Sequence, residues 1–136
     1  MLKKENRLTS KVEFNITRKY GGKKSGNHFH IFYLQTKKYI GPTKVGIVIS
    51  NKFDKRAVKR NKVKRLFREV IRKNMNLLPD NLWVVIHPRF HTIDKSYEEI
   101  NTDFILDIIL TFFVLNFRGD SFTIFNYPFF MKVNFR

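Results

Sequence analysis

Between Lys55 and Lys73, apolar Val63, Leu66, Phe67, Val70 and Ile71 recur at helical spacing, and no other stretch of the chain so constrains what it can fold into. A helix with one apolar stripe must bury that stripe, so the fold needs a layer for it to lie on. The same residues are crowded with cations: from Lys52 to Lys73 there are eleven Lys or Arg against two acids, a net +9. Arg56, Arg60, Lys64, Arg68 and Arg72 recur at every fourth position. Like charges at that spacing cost a helix about 0.2 to 0.5 kcal/mol per pair. With the stripe fixed inward, the cations face outward, and compensation has to come from outside the helix.

Strands supply the layer. His28 to Gln35, HFHIFYLQ, alternates and is rich in aromatics; Gly41-Pro42 marks a turn before Lys44 to Ser50, KVGIVIS, and the two read as a hairpin. Leu82 to His87, LWVVIH, is a nearly continuous apolar run of strand length, closed by Pro88, as expected of a central strand. Two further helices are expected. One runs from Ser10 to Tyr20, where Ser10 and Glu13 have capping-box spacing and Gly21-Gly22 supplies a stop. The other runs from Ser96, with Glu99 three residues on, through Leu110, with Ile100, Phe104, Ile108 and Leu110 directed inward. Lys23 to Asn27 reads as a polar loop. The order is α-β-β-α-β-α, an α+β sandwich of helices packed on a small sheet.

The chain has 136 residues and a formal charge of +16, most simply one domain over residues 1–110. Residues 111–136 differ in composition and read as an extension: they hold nine of the 21 aromatics, eight of them Phe, with strands possible on pattern around Phe129 to Arg136. Such a charge gathers polyanions, nucleic acid first and anionic membrane surfaces second. A soluble protein with no membrane partner is expected, the most apolar run, Ile108 to Phe117, being ten residues long where a spanning helix needs about 20. The absence of cysteine excludes disulfides, thiolate zinc sites and cysteine nucleophiles. The N-terminus has no apolar signal-peptide core, so a cytoplasmic protein is expected.

Little in the chain suggests chemistry of its own. His28 and His30 fall on one side of a strand but have no evident third ligand, a weak zinc signal. His87 and His91 flank a strand end and read as structural or RNA-facing. No paired carboxylates, nucleophile motif or phosphate-binding glycine loop is present, and no small-molecule substrate is implied. A charge run is ordinarily a solvated face. Against that, this helix lacks the neutralising acids of an ordinary solvated one, and its Arg content suits bidentate phosphate contacts.

These residues also resemble a known family. Arg60-Asn61-Lys62-Val63-Lys64-Arg65-Leu66-Phe67-Arg68-Glu69, preceded by Ala57-Val58, is similar to the signature helix of the bacterial ribonuclease P protein component, AV-x-RNR-x-K-R-x-x-R-E. Asn6-Arg7-Leu8 followed by Phe14 resembles its N-terminal element. Val45 to Ser50 followed by Lys52 resembles its VGL-V-S-K-K strand end, and Tyr97-Glu98-Glu99 the start of its final helix. The resemblance runs from about Leu2 to Leu110.

The resemblance implies a ferredoxin-like two-layer sandwich with an unusual left-handed β-α-β crossover, where right-handed ones dominate. It implies a protein subunit of an endoribonuclease whose catalytic RNA removes the 5′ leader of precursor tRNA, with no catalytic residue in the protein and Mg²⁺ held mainly by RNA. Arg56, Arg60, Asn61, Lys62, Lys64, Arg65 and Arg68 would contact the RNA subunit. Phe14, Arg18, Phe32 and Lys52 would line a cleft for the single-stranded leader, where aromatic faces accept any base. Core packing is the ordinary role of a single Phe. Lys62 replaces an arginine of the pattern, Arg18 a second aromatic, and Asn51 the first of two lysines; the connection from Lys52 to Ala57 is one residue longer. The rival readings are a stand-alone RNA-binding or ribosome-associated module and a peripheral binder of anionic membranes.

Overall fold

The stripe of the basic helix finds its layer in a four-stranded sheet. The computed structural model describes residues 2–35 and 40–114; the anticipated strands of the aromatic tail lie outside them. Helix α1 spans Lys11–Tyr20 and is followed by strands β1 (Gly22–Ser25), β2 (Phe29–Gln35) and β3 (Lys44–Ile47). Then come α2 (Ala57–Lys73), β4 (Leu82–Pro88) and α3 (Tyr97–Ile108), which continues as a π-helical turn over Ile109–Val114. The class is α+β, as expected. No helix among the described residues is long and apolar enough to cross a membrane.

The strands lie in the order β1-β2-β4-β3. β4 is antiparallel to β2, from Phe29 opposite Pro88 to Gln35 opposite Leu82, and parallel to β3, from Lys44 opposite Trp83 to Ile47 opposite Ile86. β2 and β3 are therefore not the hairpin their proximity in sequence suggests. Tight hairpins use connections of two to five residues, and eight separate these strands. The run Val84-Val85-Ile86 is buried on both faces and takes the position between two neighbours.

A second correction concerns Lys23 to Asn27. Residues 22–25 form the edge strand β1, paired from Gly22 opposite Tyr33 to Ser25 opposite His30, and the Gly26 N–H closes the turn on the Phe29 carbonyl at 2.8 Å. The observed order is thus α-β-β-β-α-β-α. Composition hid this strand because an edge needs no apolar alternation, and lysines are what edges use to discourage further pairing. The opposite edge is partly covered by the N-terminal segment, where Arg7 bridges to Val45 and the Leu8 N–H donates to the Val45 carbonyl at 3.1 Å.

The two expected capping boxes differ. At α3 both halves form: Ser96 Oγ accepts from the Glu99 N–H at 3.2 Å and Glu99 Oε1 accepts from the Ser96 N–H at 3.1 Å. At α1 the Ser10 side chain makes no cap bond, and Glu13 pairs with Lys44 at 3.7 Å instead. That ion pair ties α1 to β3, which a local box would not do. Leu110, expected inward, is 45% exposed, whereas Ile108, Thr111 and Phe112 are buried. The π-helical turn changes the phase of the inward face just there.

Strand alternation gives the sheet two unlike faces. On one, Phe29, Ile31, Val45, Val84 and Ile86 pack with Val63, Phe67, Val70 and Ile71 of α2 and Ile100, Phe104 and Ile108 of α3. Phe29 stands at its centre, 5.8 Å from the Phe67 ring, edge-on, and 5.8 Å from Phe104. The other face carries α1, which packs on β2 and β4 over buried Thr17 and Val85. Truncating Phe104 to Ala, at a fully buried position, is expected to cost about 3 to 5 kcal/mol, read as a lowered midpoint in urea unfolding.

Candidate nucleic-acid interface

The row Arg56, Arg60, Lys64, Arg68, Arg72 is not one face of α2. A four-residue step advances about 40° round a helix of 3.6 residues per turn. Over the length of the row the cations therefore wind from the side of the buried stripe to the outside. The contacts follow that drift. Arg56, at the N-cap, donates through Nε and Nη2 to Asp54 at 3.0 and 2.8 Å, and Asp54 also accepts the Arg56 backbone N–H at 2.8 Å. These donors hold the Asp54 carboxyl at about 2. Arg60 Nη1 donates to the carbonyls of Asp54 and Lys55 at 2.7 and 3.0 Å. At the far end Arg72 pairs with Glu69. Both acids of the basic segment are thus consumed at its two ends.

The middle is left uncompensated. Among the described residues, Asn61, Lys62, Lys64, Arg65 and Arg68 make no side-chain hydrogen bond or ion pair. Arg56 and Arg60, also anticipated as RNA contacts, fasten the β3–α2 connection to the start of the helix. An acid just before the first turn also offsets the cost of a cation at the positive end of the helix dipole.

The α1 face of the sheet presents the second arrangement. The Phe14 ring lies directly over Gly46 of β3: a Cβ at Gly46 would come within 2.3 Å of Phe14 Cζ, so any other residue there would displace the ring. Phe32, on the same face of β2, meets the His87 ring edge-on at 5.3 Å, and Lys23 Nζ stands 5.6 Å from the Phe32 centroid. Phe14, Arg18 and Phe32 are all half-buried. Arg18 donates to Asn15 Oδ1 at 2.9 Å, and its charge is felt at His87. The face therefore joins aromatic rings to cations, as single-strand platforms do. Lys52 is exposed, its N–H donating to Ser50 Oγ at 3.3 Å, and no described contact joins it to the aromatics.

Asn6-Arg7-Leu8 has a structural task. Asn6 Nδ2 donates to the Thr43 carbonyl at 3.0 Å, Arg7 donates to the Leu2 carbonyl through Nε at 3.1 Å and Nη2 at 3.0 Å, and Leu8 is buried. The motif seats the N-terminal segment beside β3, near Gly46, and so supports the floor under Phe14.

His28 and His30 do not share a side. His28 precedes β2 and turns toward α3, its Nδ1 2.8 Å from Asp103 Oδ2, whereas His30 meets Ser25 of β1 at 3.0 Å. Among the described residues no three His, Cys, Asp or Glu side chains gather as a metal site. Lys23 was missed because its segment reads as a loop; the signal was the Gly26-Asn27 turn, which places Lys23 opposite Phe32. His30 and His87 belong to the same face. Burial lowers the pKa of each, assisted at His30 by Arg89 and Lys23 and at His87 by Arg18.

Comparison with known proteins identifies the family. The ribonuclease P family model matches residues 2–106. The ribonuclease P protein component of Fusobacterium nucleatum is 38% identical over 102 residues, covering 72% of this chain and 89% of its own. That of Finegoldia magna is 30% identical over 99 residues, covering 73% and 84%. Among solved structures, the Staphylococcus aureus RNase P protein superposes with a TM-score of 0.70 at 22% identity, covering 80% of this chain and 97% of that one. The Thermotoga maritima protein gives 0.66 at 24% identity, covering 75% and 94%.

The histidine environments yield a measurable consequence. NMR titration should place the midpoints of His30 and His87 below the ordinary 6.5. Between the lowered native midpoints and 6.5 the unfolded chain binds more protons than the native one. Their contribution to stability is therefore present above pH 6.5 and falls as pH drops through that window.

Proposed function

As a member of the ribonuclease P protein family, this chain is the protein component of a ribonucleoprotein endoribonuclease, and we propose that α2 docks on the catalytic RNA while the α1 face receives the 5′ leader of precursor tRNA. The observation that carries the docking reading is the uncompensated middle of α2. Asn61, Lys62, Lys64, Arg65 and Arg68 are positioned by a helix whose opposite side is locked into the core. A phosphate backbone supplies the missing negative charge, and the counterions it releases make the association steeply salt-dependent.

The leader reading rests on Phe14, Phe32, Lys23 and Arg18 sharing one face. Stacking on aromatic rings tolerates any base and contributes about 1 to 3 kcal/mol per base, while cations follow the backbone. Arg18 stands where a second ring was expected, which shifts this cleft toward charge. In this reading the hydrolytic chemistry belongs to Mg²⁺ held by RNA and substrate, and the protein's side chains bind, orient and screen charge. Its work belongs in the cytoplasm.

Two measurements test the reading. Replacing Arg68 by Ala is expected to weaken assembly with the catalytic RNA and to reduce the slope of log affinity against log salt by about 1. An unchanged slope would remove Arg68 from the interface. Replacing Phe32 by Ala should lower affinity for leader-bearing precursor by about 1 to 3 kcal/mol while leaving mature tRNA binding unchanged. Equal loss for both, in a variant with normal unfolding behaviour, would contradict the cleft.

A further inference from the structure

α2 has a second flank, and it borders a groove. Between α2 and the segment joining β4 to α3 lies a recess of about 520 Å³, whose lining includes Lys62, Arg65, Leu66, Ile93, Lys95 and Tyr97. Its size falls within the range of small-molecule sites, roughly 300 to 1,000 Å³. Its chemistry is divided. Leu66, Ile93 and Tyr97 are partly buried and pack against the core, giving an apolar and aromatic floor. Lys62, Arg65 and Lys95 add three cations to the lining, two from α2 and one from the facing segment.

Those cations are poorly neutralised. Lys62 and Arg65 have no ion pair among the described residues, and Lys95 has a loose one, 3.9 Å from Glu99. Glu99 is itself occupied in capping α3, so the helix terminus offers no open anion site and any anion in the groove must be held by side chains. Lys73, 5.5 Å from the Tyr97 ring, adds positive potential without entering the lining.

An apolar and aromatic floor with cations on both walls fits a nucleoside 5′-phosphate. We propose that this groove holds one unstacked nucleotide of RNA, its base against Tyr97, Leu66 and Ile93 and its phosphate among Lys62, Arg65 and Lys95. Stacking on aromatic rings with cations tracking the backbone is how single-stranded residues are held. The assignment of RNA as the source rests on the docking of α2 described above; the groove's preference for a nucleotide does not. On this account α2 works on both flanks. Asn61, Lys64 and Arg68 meet backbone phosphates, whereas Lys62 and Arg65 face a pocket that tells an extruded base from a paired one.

The test separates the two parts. In NMR titrations of the full chain, adenosine 5′-monophosphate should shift resonances of Leu66, Ile93, Lys95 and Tyr97, and inorganic phosphate alone should shift Lys95 more than Tyr97. Lys95→Glu should weaken the adenosine monophosphate response roughly tenfold by replacing an attractive charge with a repulsive one. Tyr97→Leu, which keeps an apolar side chain against the core, should weaken the nucleotide response and leave that to phosphate in place. Ultraviolet cross-linking of the assembled ribonucleoprotein, mapped by mass spectrometry, should then join Tyr97 to the RNA. Absence of nucleotide-induced shifts in the groove, or shifts confined to Phe14 and Phe32, would overturn the site, whether or not the complex assembles. Groove shifts without a Tyr97 cross-link in an assembled complex would overturn RNA as the source and assign the groove to a free nucleotide.

Discussion

Burial of one stripe of α2 is the constraint on which the other features depend. Val63, Phe67, Val70 and Ile71 are withdrawn from water against Phe29, Val84 and Ile86. At about 25 cal/mol per Å² of apolar surface, four such side chains outweigh repulsions of a few tenths of a kcal/mol per cation pair. The helix can therefore stay folded with its middle uncompensated. Had the stripe been weaker, the same charges would favour an unfolded segment. Affinity for a polyanion is in this sense stored by the core, which holds like charges closer together than they would choose.

The ends of α2 obey a different rule from its centre. Asp54 and Glu69 are the only acids of the segment, and they are spent on Arg56 and Arg72, while Arg60 binds backbone carbonyls of the connection. The contacts of Arg56 and Arg60 fasten the start of the helix to the connection, the Glu69–Arg72 pair lies along its last turns, and Lys62, Lys64, Arg65 and Arg68 between them are left unpaired. The Phe14 face is built with similar economy. Gly46 has no side chain because a ring occupies that space, and Asn6-Arg7-Leu8 keeps the strand beneath it in place.

Much of this was legible in the sequence, and the failures have physical causes. The apolar stripe of α2, the central β4 and the Ser96–Glu99 cap are local patterns, and each was found where the pattern stood. Strand partnership is not local: whether β2 pairs with β3 or β4 depends on which strand needs two neighbours, and adjacency in the chain misleads. β1 escaped notice because its stability comes from hydrogen bonding to β2 rather than from its own side chains. Four-residue spacing makes the cation row read as a straight line, but it is a slow spiral whose first members, Arg56 and Arg60, lie at the connection. Without β1, Lys23 could not be placed over Phe32, and the electrostatics of that face stayed out of view.

The central claim is that the uncompensated length of α2 is where ribose-phosphate docks. Lysine-reactivity footprinting of the complex assembled with the catalytic RNA addresses it directly. Strong protection of Lys62 and Lys64 relative to the free protein is expected, with Lys3 and Lys4, on the N-terminal segment, unchanged. Full reactivity of Lys62 and Lys64 in an assembled complex would contradict it.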